Sequence, residues 1–167
     1  MPENAPLYGD MTVIEFLNFV CEMREIPESS RISSIDRVVD KCHLEQVKGQ
    51  SIDTLSKGFK RRVSMAQALI HDPEVLILDE PTDGLDPNQK HDVRTLIKEL
   101  SQDKCIVLST HILEEVGAVC NRAIIISSGK KMFDGSPEEL KQKSNSGKLD
   151  DVFRAITLNQ DVEGVTL

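Results

Sequence analysis

Apolar residues recur at two spacings along the chain, and the change from one to the other falls near residue 55. Before it, the spacing is helical. Thr12-Val-Ile-Glu15 has the form of a capping box, and Val13, Leu17 and Val20 share one face of the helix it opens, with Pro27 ending that stretch. Ile32, Ile35, Val38, Val39 and Cys42 predict a second amphipathic helix. From Leu55 onward, helical and strand patterns alternate. Ser56 can cap a helix with Phe59, Val63, Ala66 and Leu69/Ile70 on its apolar side. Val75-Leu-Ile-Leu78 follows as an unbroken apolar run, which predicts a strand buried on both faces.

Asp86 and Pro87 supply an N-cap and first helical residue, with Val93, Leu96, Ile97 and Leu100 facing inward. Cys105-Ile-Val-Leu108 reads as another buried strand, and Ile112, Leu113, Val116 and Val119 as a short helix. Ala123-Ile-Ile-Ile126 makes a third strand, which Ser128-Gly129 turns back into Lys131-Met-Phe133. The tail holds a second capping box, Ser136-Pro-Glu-Glu139, a polar loop from Lys143 to Gly147, and a last helix around Leu149, Val152, Phe153 and Ile156. Such alternation predicts an α/β fold with a parallel sheet. The pattern divides the chain into a helical subdomain over 1–54, a sheet-bearing core over 55–142 and a C-terminal helix and tail over 143–167.

Composition narrows the function. With 28 acids against 20 bases the net charge is −8, a balance that repels a phosphate backbone, so nucleic acid is not expected as a partner. The apolar runs fall far short of the ~20 residues that span a bilayer. The expectation is a soluble, cytoplasmic chain without a secretory leader. The four cysteines form no C-x-x-C pair, and reduced thiols are expected.

Four short stretches carry candidate chemistry. Asp79-Glu80-Pro81 ends an apolar strand, where parallel sheets place ligands; one acid there can hold Mg²⁺ through water and the next can polarise an attacking water. Taken alone, the same residues read equally well as two solvated acids. Ser56-Lys57-Gly58 opens a helix whose exposed N–H groups attract phosphate, with Gly58 allowing close approach, and Lys60, Arg61 and Arg62 adding charge. An ordinary capped helix with a basic face fits as well. Thr82-Asp-Gly-Leu-Asp86-Pro87 is a turn feeding a helix. His111 follows a strand and could donate to a phosphate or to a water, though a lone histidine there is a weak signal.

These stretches occur together and in order between residues 55 and 111, and the combination resembles the ABC ATPase family. Leu55 to Phe59 is similar to its signature motif, with Lys57 and Phe59 departing from the usual Leu-Ser-Gly-Gly-Gln. Val75 to Glu80 is similar to its Walker B strand, Gly84-Leu-Asp86 to its D-loop, and His111 to its switch histidine. The resemblance implies a P-loop NTPase-type (RecA-like) core with a helical subdomain, and ATP and Mg²⁺ as cofactors. It implies Glu80 and His111 as catalytic residues, Asp79 on Mg²⁺ through water, and Ser56, Lys57, Gly58 and Asp86 in nucleotide binding. Glu3 stands where many members have Gln, a metal or water ligand. The implied partners are a second ATPase subunit, docked head to tail, and a transmembrane permease that meets the helical unit at the inner face of the membrane. The Ser-Lys-Gly signature and the Leu149-Asp-Asp-Val-Phe153 tail resemble exporter subunits of the ABC-2 type.

No G-x-x-x-x-G-K-[ST] stretch occurs in the 167 residues. By the resemblance the core is expected to be incomplete, the C-terminal part of the domain, with sheet edges open to pairing and oligomerisation. Two other readings remain open. One is an inert binding module lending its signature in trans; the other is a soluble, non-transport ABC ATPase.

Overall fold

A computed structural model describes residues 1–2, 6–143 and 149–158. By internal contacts the chain divides into two units, Met1–Ser109 and Thr110–Leu167. The division falls at the end of a strand, whereas the sequence pattern changes at 54 and 142. The physical reason is that the front helices pack directly on the helix after Ser56 and so belong with it.

In the first unit, α1 (Val13–Met23) starts at the expected capping box. Glu15 N–H donates to Thr12 Oγ1, and Thr12 N–H donates to Glu15 Oε2 at 2.8 Å. The Thr12 N–H and hydroxyl, both donating to Glu15 Oε2, stabilise the ionised carboxylate and lower the Glu15 pKa. α2 (Glu28–Lys41) starts after Pro27 and buries Ile35, Val38 and Val39. Ile32, expected on that face, is 75% exposed. Cys42 is buried after α2, and desolvation pushes its thiol up to about 12, the environment of a core residue rather than of a metal ligand.

α3 (Lys57–Leu69) packs on α1 and α2. It leads to β1 (Val75–Asp79), α4 (Pro87–Leu100) and β2 (Cys105–Ser109), and the two strands pair in parallel, Val75 opposite Cys105 through Asp79 opposite Ser109. This is the strand–helix–strand crossover that the alternation predicts. At the other edge of β1, the Met1 amino group donates to Ile77 O at 2.6 Å and Asp79 N–H donates to Met1 O at 2.9 Å, the slanted bonding of a parallel neighbour.

The expectation that these strands are buried on both faces is corrected. Leu76 and Leu78 are buried beneath the helices, but Val75, Ile77 and Val107 are 53%, 63% and 53% exposed. Nothing among the described residues of this unit covers that side, so a run composed for two-sided burial shows one bare face.

The second unit holds α5 (Leu113–Val119), the hairpin β3 (Ala123–Ser127) and β4 (Lys130–Gly135), α6 (Pro137–Gln142) and α7 (Leu149–Leu158). The hairpin closes through Ser128 and Gly129, both at positive φ, the two-residue turn that matches strand twist. Ile125, Leu140, Leu149, Val152 and Ile156 form its core. The α5 face differs from expectation: Ile112, Leu113, Val116 and Val119 are half-buried, while Glu115 is the fully buried residue of that helix. Among the described residues, β3 pairs with β4 and the pairing is antiparallel. At the hairpin, Arg122 and Lys131 bond Asp134 and hold its carboxyl at about 2. Among the described residues, no helix is long and apolar enough to cross a membrane.

Candidate functional site

The site is built on the carboxyl end of β1, where burial of the apolar strand stops and two acids emerge. Asp79 is exposed and pairs in register with Ser109, whose hydroxyl donates to Asp79 Oδ1. Glu80 takes φ 44°, a left-handed conformation that a Cβ disfavours. Four other non-glycine residues share a positive φ: Glu25, His43 and Asp72 lie just past helix ends, and Ser128 lies in the hairpin turn. Those are places where that conformation is routine. Glu80 alone among them sits directly after a parallel strand. Strain there persists only when neighbours over-determine it. They do: Glu80 N–H donates to Ser109 O at 3.1 Å, while its carbonyl accepts from Arg61 Nη2 at 3.1 Å and from Asp83 N–H at 3.3 Å.

Next comes the turn to α4. Gly84 is at φ +67°, and a Cβ there would lie 3.7 Å from Lys57 Nζ, so the exposed lysine ends beside the turn. Asp86 caps α4, with Oδ1 accepting from Asn88 N–H at 2.9 Å and Gln89 N–H at 3.0 Å. Its carboxylate is engaged in the cap. Across from it, Ser56 caps α3 by accepting from Phe59 N–H at 3.3 Å. Gly58 is buried, and a Cβ would meet the Gln89 side chain at 3.0 Å. Absence of a side chain at 58 therefore serves α3–α4 packing, a demand the sequence reading of close anion approach did not include.

The first unit thus brings together Ser56, Lys57, Gly58, Asp79, Glu80 and Asp86 on α3, β1 and the cap of α4. His111 belongs to the second unit, in the exposed step between β2 and α5, where Ile112 N–H donates to Thr110 Oγ1. Glu3 lies outside the described residues. Sequence reasoning missed the Arg61 bond to Glu80 O, the Ser109 bond to Asp79 and the Gln89 contact with Gly58. The register of two parallel strands and the facing of α3 on α4 create them, and no motif spells them out.

The donor set has a defined chemistry. An exposed carboxylate at a strand end is a hard oxygen donor of the kind Mg²⁺ takes, often through water. The N-terminus of α3, with Ser56 and Lys57 exposed, presents N–H groups and a cation to a phosphate. These residues fit a magnesium ion and a terminal phosphate. The family described as ABC transporter matches residues 1–83. Of curated relatives, an uncharacterized ABC transporter ATP-binding protein of Synechocystis is 40% identical over 143 residues, covering 84% of this chain and 40% of its own. Nod factor export ATP-binding protein I of Cupriavidus metallidurans is 36% identical over 84% of this chain and 46% of its own. ABC transporter A family member 1 of Dictyostelium discoideum is 35% identical over 88% and 17%. The chain belongs to the ABC transporter family.

Membership accounts for the strand–helix–strand crossover, since the ABC ATP-binding domain is an α/β parallel-sheet domain. The chain spans about half the length, or less, of the curated relatives it matches.

Proposed function

We propose that this chain is the C-terminal part of an ATP-hydrolysing subunit that powers a membrane ABC exporter. The observation that carries the reading is the pair at the end of β1: an extended, exposed Asp79 followed by a left-handed Glu80 whose backbone is clamped from three sides. Nucleotide, when bound, supplies the phosphoryl group and its magnesium. Asp79 would hold the magnesium, and the Ser109 hydroxyl fixes the orientation of its carboxylate. Glu80 accepts the proton of the attacking water, and the clamp on its backbone keeps the carboxylate from having to be positioned in each cycle. His111 is assigned from the resemblance of its motif alone, as a donor to water or to a terminal phosphate.

Ser56, Lys57 and Gly58 face a different nucleotide, that of a second subunit docked head to tail, a reading that the exposure of Ser56 and Lys57 supports. Asp86 acts indirectly, by fixing the turn that carries Gly84 against Lys57. The exporter assignment is supported by a relative whose printed name is an export protein. In this reading the subunit lies at the inner face of the membrane, and α1 and α2 meet a transmembrane partner. The outer edge of β2 and the bare face of Val75, Ile77 and Val107 suit pairing with further chain.

A mixed dimer tests the head-to-tail arrangement. In the longer subunit, Ser56→Ala and Glu80→Gln each disable both sites of a homodimer. A dimer with one change on each subunit gathers both defects into one site and leaves the other intact. ATP turnover well above that of either homodimer is the expected result; turnover as low as theirs would mean Ser56 and Glu80 serve the same site.

A further inference from the structure

From its first turn onward, one flank of α3 forms a wall of a cavity of about 380 Å³. Lys57, Lys60, Arg61 and Ser64 reach it from positions i, i+3, i+4 and i+7, a single stripe of the helix. Asp53 and Asp83 also line it. Three cations thus share the lining with two anions. Lys60 Nζ is 4.0 Å from Asp53 Oδ1, at the limit of an ion pair, and the Asp53 side chain is 76% exposed. That pair leaves the lysine weakly committed.

Ser64 is the second, independent observation. It is 2% exposed, and its hydroxyl has no partner among the described residues. A buried hydroxyl is nearly always paired, and an exception at a cavity wall calls for a partner that enters the cavity. A hydroxyl beside two lysines and a guanidinium matches an oxyanion, which accepts several hydrogen bonds at once. Arg61 also ties this wall to the site already described, since its Nη2 donates to Glu80 O.

From these residues we infer that the cavity is a binding site for a tetrahedral oxyanion, inorganic phosphate, along the α3 flank from Lys57 to Ser64. Resting on the proposed function, the phosphate is the one released by hydrolysis. The site depends on the α3 flank and not on Ser56 or the carboxyl end of β1.

Titration of the full 167-residue chain with inorganic phosphate, at ionic strength matched with chloride and without nucleotide, tests it. Calorimetry or phosphorus NMR should show one saturable site, weakened about tenfold by Ser64→Ala and by Lys60→Gln, as expected for bonds to a charged ligand. Ser64→Ala removes an unpaired hydroxyl and keeps the fold, which a thermal melt checks, so loss of binding in it is not loss of structure. No saturable binding, or equal binding in all three proteins, overturns the inference. Because nucleotide is absent, phosphate binding by the chain upholds the site even where the longer subunit shows no ATP turnover. ATP turnover without phosphate binding removes the site and leaves the proposed function standing.

Discussion

Glu80→Gln in the longer subunit should leave ATP bound and cut its turnover by roughly 100- to 10,000-fold, the range over which a positioned proton acceptor acts. The change keeps the shape of the side chain and the backbone clamp of Arg61, Asp83 and Ser109, so it removes the acceptor without disturbing its placement. Retained nucleotide and lost turnover together identify a chemical defect, since a folding defect would lose both. The readouts are the nucleotide content of the purified variant and the rate of phosphate release. Preserved turnover would remove Glu80 from the role of base.

The second large effect concerns the platform beneath the two acids. Leu78 is fully buried one residue before Asp79, and Leu78→Ala should cost about 2–5 kcal/mol, through lost burial and the cavity left behind. Ile77 is its neighbour on the same strand but 63% exposed, and Ile77→Ala should cost far less. The pair of melts therefore reads the one-sided burial of β1 directly. Equal losses would mean that the face of Val75, Ile77 and Val107 is covered in solution, as the apolar run led one to expect.

That contrast shows where sequence reasoning reached and where it stopped. Thr12 with Glu15, Asp86 with Pro87 and Ser136 with Glu139 are local signals, written within four residues, and each helix begins where they say. The Ser128-Gly129 turn is local too, because both residues must adopt positive φ and the chain advertises it. Two-sided burial of β1 is not local. An apolar strand records what its composition suits, while the faces it covers depend on which elements are there to pack on it. Glu115 illustrates the same limit: the α5 pattern marks its aliphatic residues, and the fully buried side chain is an acid.

Within the site, residue types and order were legible and their uses were not. Asp79 and Glu80 are named by the end of the apolar run, but the left-handed turn at Glu80 follows from bonds to Ser109, 29 positions on, and to Arg61, 19 positions back. Gly58 reads as a phosphate-approach glycine from its neighbours, and the fold gives it a packing duty against Gln89. Both facts depend on how α3, β1 and α4 meet, which no short motif encodes.

In the proposed function, Asp79 would hold magnesium at the end of β1 for ATP hydrolysis. The direct measurement is the Mg²⁺ dependence of ATP turnover in the longer subunit, wild type against Asp79→Asn. Turnover that requires Mg²⁺ in the wild type and is lost, or restored only at far higher Mg²⁺, in Asp79→Asn is the predicted result. An unchanged Mg²⁺ dependence and unchanged turnover in that variant would contradict it.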